Sequence, residues 1–209
     1  MTTDRPAPGE ELNTGPPTPP RAAATVILLR GNEQHLEVLL VQRNPESRFM
    51  GGAWVFPGGA VKRGEGEGQP ALRAAAVREL AEEARVQLNG PDALIAFSRW
   101  ITPAQVKIRF DTWFYLAPLP AGAQPRVDGE EVVDLRWYEP QAALDAARDG
   151  ELFLVFPTIK HLEQLRSFNS ASELIEYARG RDVQPVEPRV VVSENEARVL
   201  LPGEPGYEA

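Results

Sequence analysis

At 209 residues, with 43% apolar and 25% charged side chains, the chain is long enough to bury a core and carries no apolar run of membrane-spanning length. Its net charge of −8 argues against nucleic acid as a partner, which would need a basic face, and no signal-peptide pattern opens it. Without cysteine there is no thiol nucleophile and no cysteine-based zinc site, so the composition reads as a soluble cytoplasmic chain of one main domain with no membrane contact.

Residues 1–21 hold Pro6, Pro8, Pro16, Pro17, Pro19 and Pro20 with few large apolar side chains, which predicts a disordered arm. Ala23 to Leu29 and Leu36 to Gln42 read as strands joined by a turn around Gly31-Asn32, and Trp54 to Phe56 as a short strand entering the loop Pro57-Gly58-Gly59. A helix follows, with Pro70 placed to be its first residue. Ala93 to Ile101, Ile108 to Ala117 and Val132 to Trp137 are further strand candidates. Helices are expected over Pro140 to Asp149, Pro157 to Phe168 and Ser172 to Arg179, and a hairpin from Arg189 to Val192 and Ala197 to Leu201 around Glu194-Asn195. Strands mixed with flanking helices predict an α/β fold in α/β/α layers.

The helix after the glycine loop carries Arg78-Glu79-Leu80-Ala81-Glu82-Glu83. Glu79, Glu82 and Glu83 stand at i, i+3 and i+4, so their carboxylates share one face and repel one another unless a cation lies among them. Carboxylate oxygens suit Mg²⁺ or Mn²⁺, whereas His35 and His161, far apart and without cysteine, make no zinc set. A solvated acidic face is the plain alternative. Against it, Glu79 and Glu83 fall beside the small Ala75 and Ala76, which let another backbone segment come close. Gly58 and Gly59 can curve tightly enough to supply that segment and to aim a main-chain carbonyl at the same cation.

Gly59, Glu65 and the run Arg78-Glu79-Leu80-x-Glu82-Glu83 together resemble the Nudix box. The resemblance implies a Nudix-like α/β/α sandwich with a mixed sheet over roughly residues 22–156, followed by a C-terminal extension of helices and hairpin over 157–209. Two departures stand out. Twelve residues separate Glu65 from Arg78 where the family pattern has seven, leaving open whether Glu65 or Glu67 belongs to the site. Arg85 stands where the family has a glycine, so either the helix runs on or a left-handed arginine is tolerated.

The chemistry implied is attack of water on a phosphoanhydride. Glu79, Glu82, Glu83 and the Gly58 carbonyl would hold Mg²⁺ or Mn²⁺, and Arg78 would orient them through a salt bridge. Glu130 and Glu131 are the candidates for general base, with an acidic turn beside Asp128-Gly129 as the alternative. The segment from Leu39 through Arg43, Arg48 and Gly52 to Phe56-Pro57-Gly58-Gly59 is similar to the signature of the family's coenzyme A diphosphatases, most of all the branch with the peroxisomal enzyme, though Val41 and Asn44 depart from it. Arg43 and Arg48 would meet phosphates, with surface pairing to Glu37 or Glu46 as the alternative, while Gly58 and Gly59 would lie against the substrate. Trp54, Phe110, Trp113 and Phe114 are candidates either to stack on a base or to fill the core. A small nucleotide-derived partner is thus expected, coenzyme A or an acyl-CoA first. ADP-ribose, a dinucleotide or a damaged nucleoside triphosphate is the alternative, and a silent nucleotide-binding module a third reading. Residues beyond 156 would pack on the domain, cover its cleft or form a homodimer interface.

Overall fold

A computed structural model describes residues 11–207 apart from residue 14 and residues 193–196. The elements are β1 (Arg21–Asn32), β2 (His35–Arg43), β3 (Trp54–Val55), β4 (Gly58–Ala60), α1 (Gly68–Ala84), β5 (Ile95–Ile101), β6 (Phe110–Pro118), β7 (Val132–Tyr138), α2 (Pro140–Arg148), α3 (Phe156–Leu165), α4 (Ala171–Arg179), β8 (Pro185–Val186), β9 (Arg189–Val192) and β10 (Ala197–Leu200). The main sheet runs β3-β2-β1-β6-β5-β8, with β4 also on β1 and β7 on β2. It is mixed, since β1 lies parallel to β6 and β5 to β8 while the other pairs are antiparallel.

β1 is covered on both faces, which is why it reads as an unbroken apolar run. Ala24, Val26 and Leu28 pack against Leu72, Ala76 and Leu80 of α1. Ile27 and Leu29 turn to the opposite layer, where Leu162, Leu165 and Leu174 of α3 and α4 close a second core. The α/β/α layering expected from the sequence is the fold observed. Pro157 and Thr158 of α3 also line the cavity described below, so the segment after residue 156 both packs on the sheet and forms part of a cleft wall. Among the described residues no helix is long and apolar enough to cross a membrane.

Boundaries shift where pairing outreaches hydrophobicity. The first turn sits at Glu33-Gln34, two residues later than expected, because Asn32 accepts the Gln34 N–H at 2.9 Å and Gly31 still pairs with Leu36. A Cβ on Gly31 would lie 1.8 Å from the His35 carbonyl oxygen, so this crossing requires glycine. The helix α1 begins at Gly68, with Pro70 inside its first turn. Of the segment read as an arm, residues 1–10 lie outside the described residues. Asn13, by contrast, donates to the Gln105 carbonyl, Thr18 bonds Lys107 and Arg109, and Arg21 opens β1. The hairpin tip at Glu194-Asn195 also lies outside the described residues.

Candidate active site

Helix α1 presents its glutamates in two directions. Glu79 and Glu83 are buried, at 7% and 3% exposure, and line a cavity of about 360 Å³, whereas the Glu82 side chain is 48% exposed and turned to Lys62 at 3.0 Å. As the sequence suggested, Glu79 and Glu83 lie beside Ala75 and Ala76, and Leu80, read from the sequence as falling on the other side, shares this buried side with them. They can do so because β4 has no side chains in the way: a Cβ on Gly59 would come within 2.4 Å of Glu79 Oε1, and one on Gly58 within 2.6 Å of the Ala24 carbonyl oxygen.

Arg78 is the cation beside two of the three carboxylates, Glu79 and Glu82. Its Nη1 donates to Glu79 at 2.7 Å and to Glu82 at 3.0 Å, its Nε to Glu65 at 2.6 Å and its Nη2 to the Ala60 carbonyl at 3.1 Å. Burial alone would lower the arginine's pKa, but these glutamates outweigh it and hold the group fully charged. Glu65 is therefore the glutamate that joins the cluster, its carboxyl held below the usual range chiefly by Arg78. Glu67 instead stands at the N-cap of α1 without a side-chain capping bond.

Glu83 is the electrostatic outlier. Burial, helped by the negative charges of Glu79 and Glu131, pushes its carboxyl up to about 8 against a hydrogen bond from the Gly58 N–H at 2.9 Å and the charge of Arg43. Gly58 thus contributes an N–H to the carboxylate, where the sequence reading gave it a carbonyl for a cation. Glu131 lines the cavity from the loop before β7, which Asp128 shapes by accepting the Glu131 and Val132 N–H groups. Neighbouring Glu130 is exposed, outside the lining, and engaged through its carbonyl by Asn44.

Arg43 lines the cavity, its Nε donating to the Phe49 carbonyl at 3.3 Å and its charge acting on Glu83. Arg48 is exposed and lies outside the lining, so the two arginines part company. The pairing with Glu37 weighed for them does not occur, because Glu37 is taken by Arg30 at 2.7 Å. Among the aromatic candidates, Phe110 and Phe114 line the cavity and Trp54 is buried in the core, while Trp113 packs beside Tyr115. Asp111 is held bidentately by Arg99 at 2.8 and 2.6 Å. Arg21, Phe49, Thr102, Thr112 and Thr158 also line the cavity. The sequence gave no site role to these five, although the alternation of Arg21, Ala23 and Thr25 was a signal for Arg21.

Among the described residues no three carboxylate or histidine side chains converge as a closed metal cage. The donor set nevertheless fits a hard divalent cation: two buried carboxylates, a third lining the same cavity, and no thiolate or imidazole there. His35 pairs with Glu37 and Glu139 on the surface, and His161 is sealed in the core.

The NUDIX domain profile matches residues 19–156, and the chain belongs to that family as a Nudix hydrolase. Nudix hydrolase 7 of Caenorhabditis elegans is 28% identical over 90% of this chain and 74% of its own length. Acyl-coenzyme A diphosphatase NUDT19 of Homo sapiens is 31% identical over 120 residues, a match that covers 55% of this chain and only 32% of the human protein. Among solved structures, the NUDIX hydrolase from Alicyclobacillus acidocaldarius superposes with a TM-score of 0.68 at 28% identity, covering 76% of this chain and 96% of that one.

Proposed function

We propose that the chain is a Mg²⁺- or Mn²⁺-dependent diphosphatase that splits a nucleoside diphosphate linked to another group, with coenzyme A or an acyl-CoA as substrate. The observation that carries this reading is that Glu79, Glu83 and Glu131 line one cavity, with the charges of Glu79 and Glu131 acting on Glu83, and that the same cavity holds Arg43 and aromatic side chains. Coenzyme A is favoured by the signature around Arg43 and by the similarity to an acyl-coenzyme A diphosphatase over 55% of the chain.

Glu79 and Glu83 would hold the cation, which when bound neutralises the diphosphate and acidifies the attacking water. Glu82 would have to turn from Lys62 to join them. Arg78 fixes the Glu79 carboxylate in one orientation, the kind of support on which a site's precision depends. Arg43 offers a planar fork to a phosphate oxygen pair. Glu131, exposed and lining the same cavity, accepts the proton of the attacking water.

The test is a panel of coenzyme A, acetyl-CoA, ADP-ribose, a diadenosine polyphosphate and an oxidised nucleoside triphosphate at one Mg²⁺ concentration. The highest kcat/KM should fall on coenzyme A or its thioester. A clear maximum on any other compound would move the substrate while leaving the reaction class in place.

A further inference from the structure

The cavity continues away from the carboxylates along one face of two paired strands. Arg21 stands opposite Phe110, Ala23 opposite Thr112 and Thr25 opposite Phe114. Side chains two apart on a strand share a face, and all six of these line the cavity. Thr25 also pairs with Gly58, whose N–H holds Glu83, so that end of the row adjoins the acidic centre. The other end, four residues back along β1 and about 13 Å away at the usual strand rise, is Arg21 with Phe110.

At that far end the Arg21 guanidinium lies 5.7 Å from the centre of the Phe110 ring, and the Phe49 ring lies 5.9 Å from Phe110, tilted by 58°. Neighbouring arginines are committed elsewhere: Arg99 to Asp111, Arg109 to Glu187, Thr18 and Thr102, and Arg78 to its glutamates. Arg21 is exposed, and among the described residues its guanidinium has no carboxylate partner. In a chain of net charge −8, an uncompensated cation at the mouth of a cavity is a local attractor for anions.

We propose that Phe110 and Phe49 receive the nucleobase of the substrate and that Arg21 takes a phosphate carried by that same nucleoside, separate from the diphosphate that is cleaved. This rests on the diphosphatase reading above. The ligand class is a nucleoside diphosphate conjugate bearing one additional monoester phosphate. Ring faces give the base a stacking platform, and the guanidinium fork gives the phosphate two parallel hydrogen bonds. Such a site sorts phosphorylated from unphosphorylated forms of one nucleotide, a distinction the acidic centre does not make.

Wild type and Arg21→Gln are compared on two pairs: coenzyme A with 3′-dephospho-coenzyme A, and NADPH with NADH. The wild type should favour the phosphorylated member of whichever pair it cleaves by about tenfold in kcat/KM, expressed in KM, as expected for a charge-assisted contact. Arg21→Gln should bring that ratio close to one by lowering kcat/KM on the phosphorylated member. Phe110→Leu should raise KM for both members alike. A wild-type ratio near one, or a preference that survives in Arg21→Gln, overturns the phosphate assignment, and an unchanged KM in Phe110→Leu overturns the stacking. If only the nicotinamide pair is cleaved, with the Arg21-dependent preference, coenzyme A falls as substrate and the subsite stands. If neither pair is cleaved, the diphosphatase reading fails by itself, and calorimetric dissociation constants for the four compounds decide the subsite by the same ratio.

Discussion

Glu83 combines burial with a neighbouring like charge, and its carboxyl consequently stands at about 8 without a cation. A carboxyl raised above its unfolded value favours the folded state while protonated. The contribution is complete below the unfolded pKa near 4.5 and is lost as pH rises through about 8. Replacing Glu83 by Gln keeps an acceptor for the Gly58 N–H and removes the titration. Metal-free Glu83→Gln should therefore show a flatter dependence of melting temperature on pH between those values than wild type, with turnover reduced by at least about a hundredfold. Equal slopes in chelator, or full turnover, would contradict the role given to this residue. Arg78 acts beside it by geometry: Lys cannot span Glu65, Glu79, Glu82 and the Ala60 carbonyl at once. Arg78→Lys should cost about 2 kcal/mol in chemical denaturation and lower kcat. The sequence announced part of this cluster, because Arg78 and Glu82 stand four apart on one helix. It did not announce that the arginine would take up only Glu79 and Glu82 of the trio and leave Glu83 to the Gly58 N–H, nor that Glu82 would face Lys62.

At the scale of elements, α1 ends by a left-handed residue. Arg85 has φ 55° and ψ 28°, its N–H returns to the Leu80 carbonyl, and the Arg126 N–H closes on the Ala84 carbonyl at 2.9 Å. Of the two outcomes the sequence left open, the helix stops and the strained arginine is tolerated. Because Arg85 is exposed, Arg85→Gly removes strain worth about 1 kcal/mol while losing little packing, with part of the gain returned through the greater freedom of glycine in the unfolded chain. Thermal unfolding of Arg85→Gly should thus rise by up to about 4 °C, and a fall would show that the side chain holds something the backbone argument omits. Element types were legible from period and punctuation: β1, β6 and α1 carry runs that read only one way. Their ends were less legible, since Arg21 joins β1 through Phe110 on β6, far away in sequence, and Asn32 through His35 across a two-residue turn.

At the scale of the whole molecule, two layers of helices cover the sheet, and the second layer is keyed by His161. This histidine is fully buried, Nε2 2.6 Å from Ser98 Oγ and Nδ1 2.6 Å from the Pro157 carbonyl, among the rings of Phe56, Phe97, Trp100 and Phe114. Burial lowers its pKa to about 4. A histidine depressed in this way contributes stability above its unfolded pKa of 6.5 that is lost as pH falls toward 4, a swing of about 3 kcal/mol. Denaturant midpoints should accordingly drop between pH 6.5 and 4, and His161→Gln should flatten that drop, the opposite sign to the Glu83 effect. The cavity also belongs to this scale, and it explains what the sequence hid. Arg21, Phe49, Thr102 and Thr158 come from four separate segments and meet only once the strands are in register. The central claim, that Glu79 and Glu83 bind a divalent cation for diphosphate cleavage, is tested most directly by titrating the protein with Mn²⁺ and reading free ion by electron paramagnetic resonance. Wild type should bind Mn²⁺, competed by Mg²⁺, with affinity at least about tenfold above that of Glu79→Gln/Glu83→Gln, whereas indistinguishable titrations would contradict it.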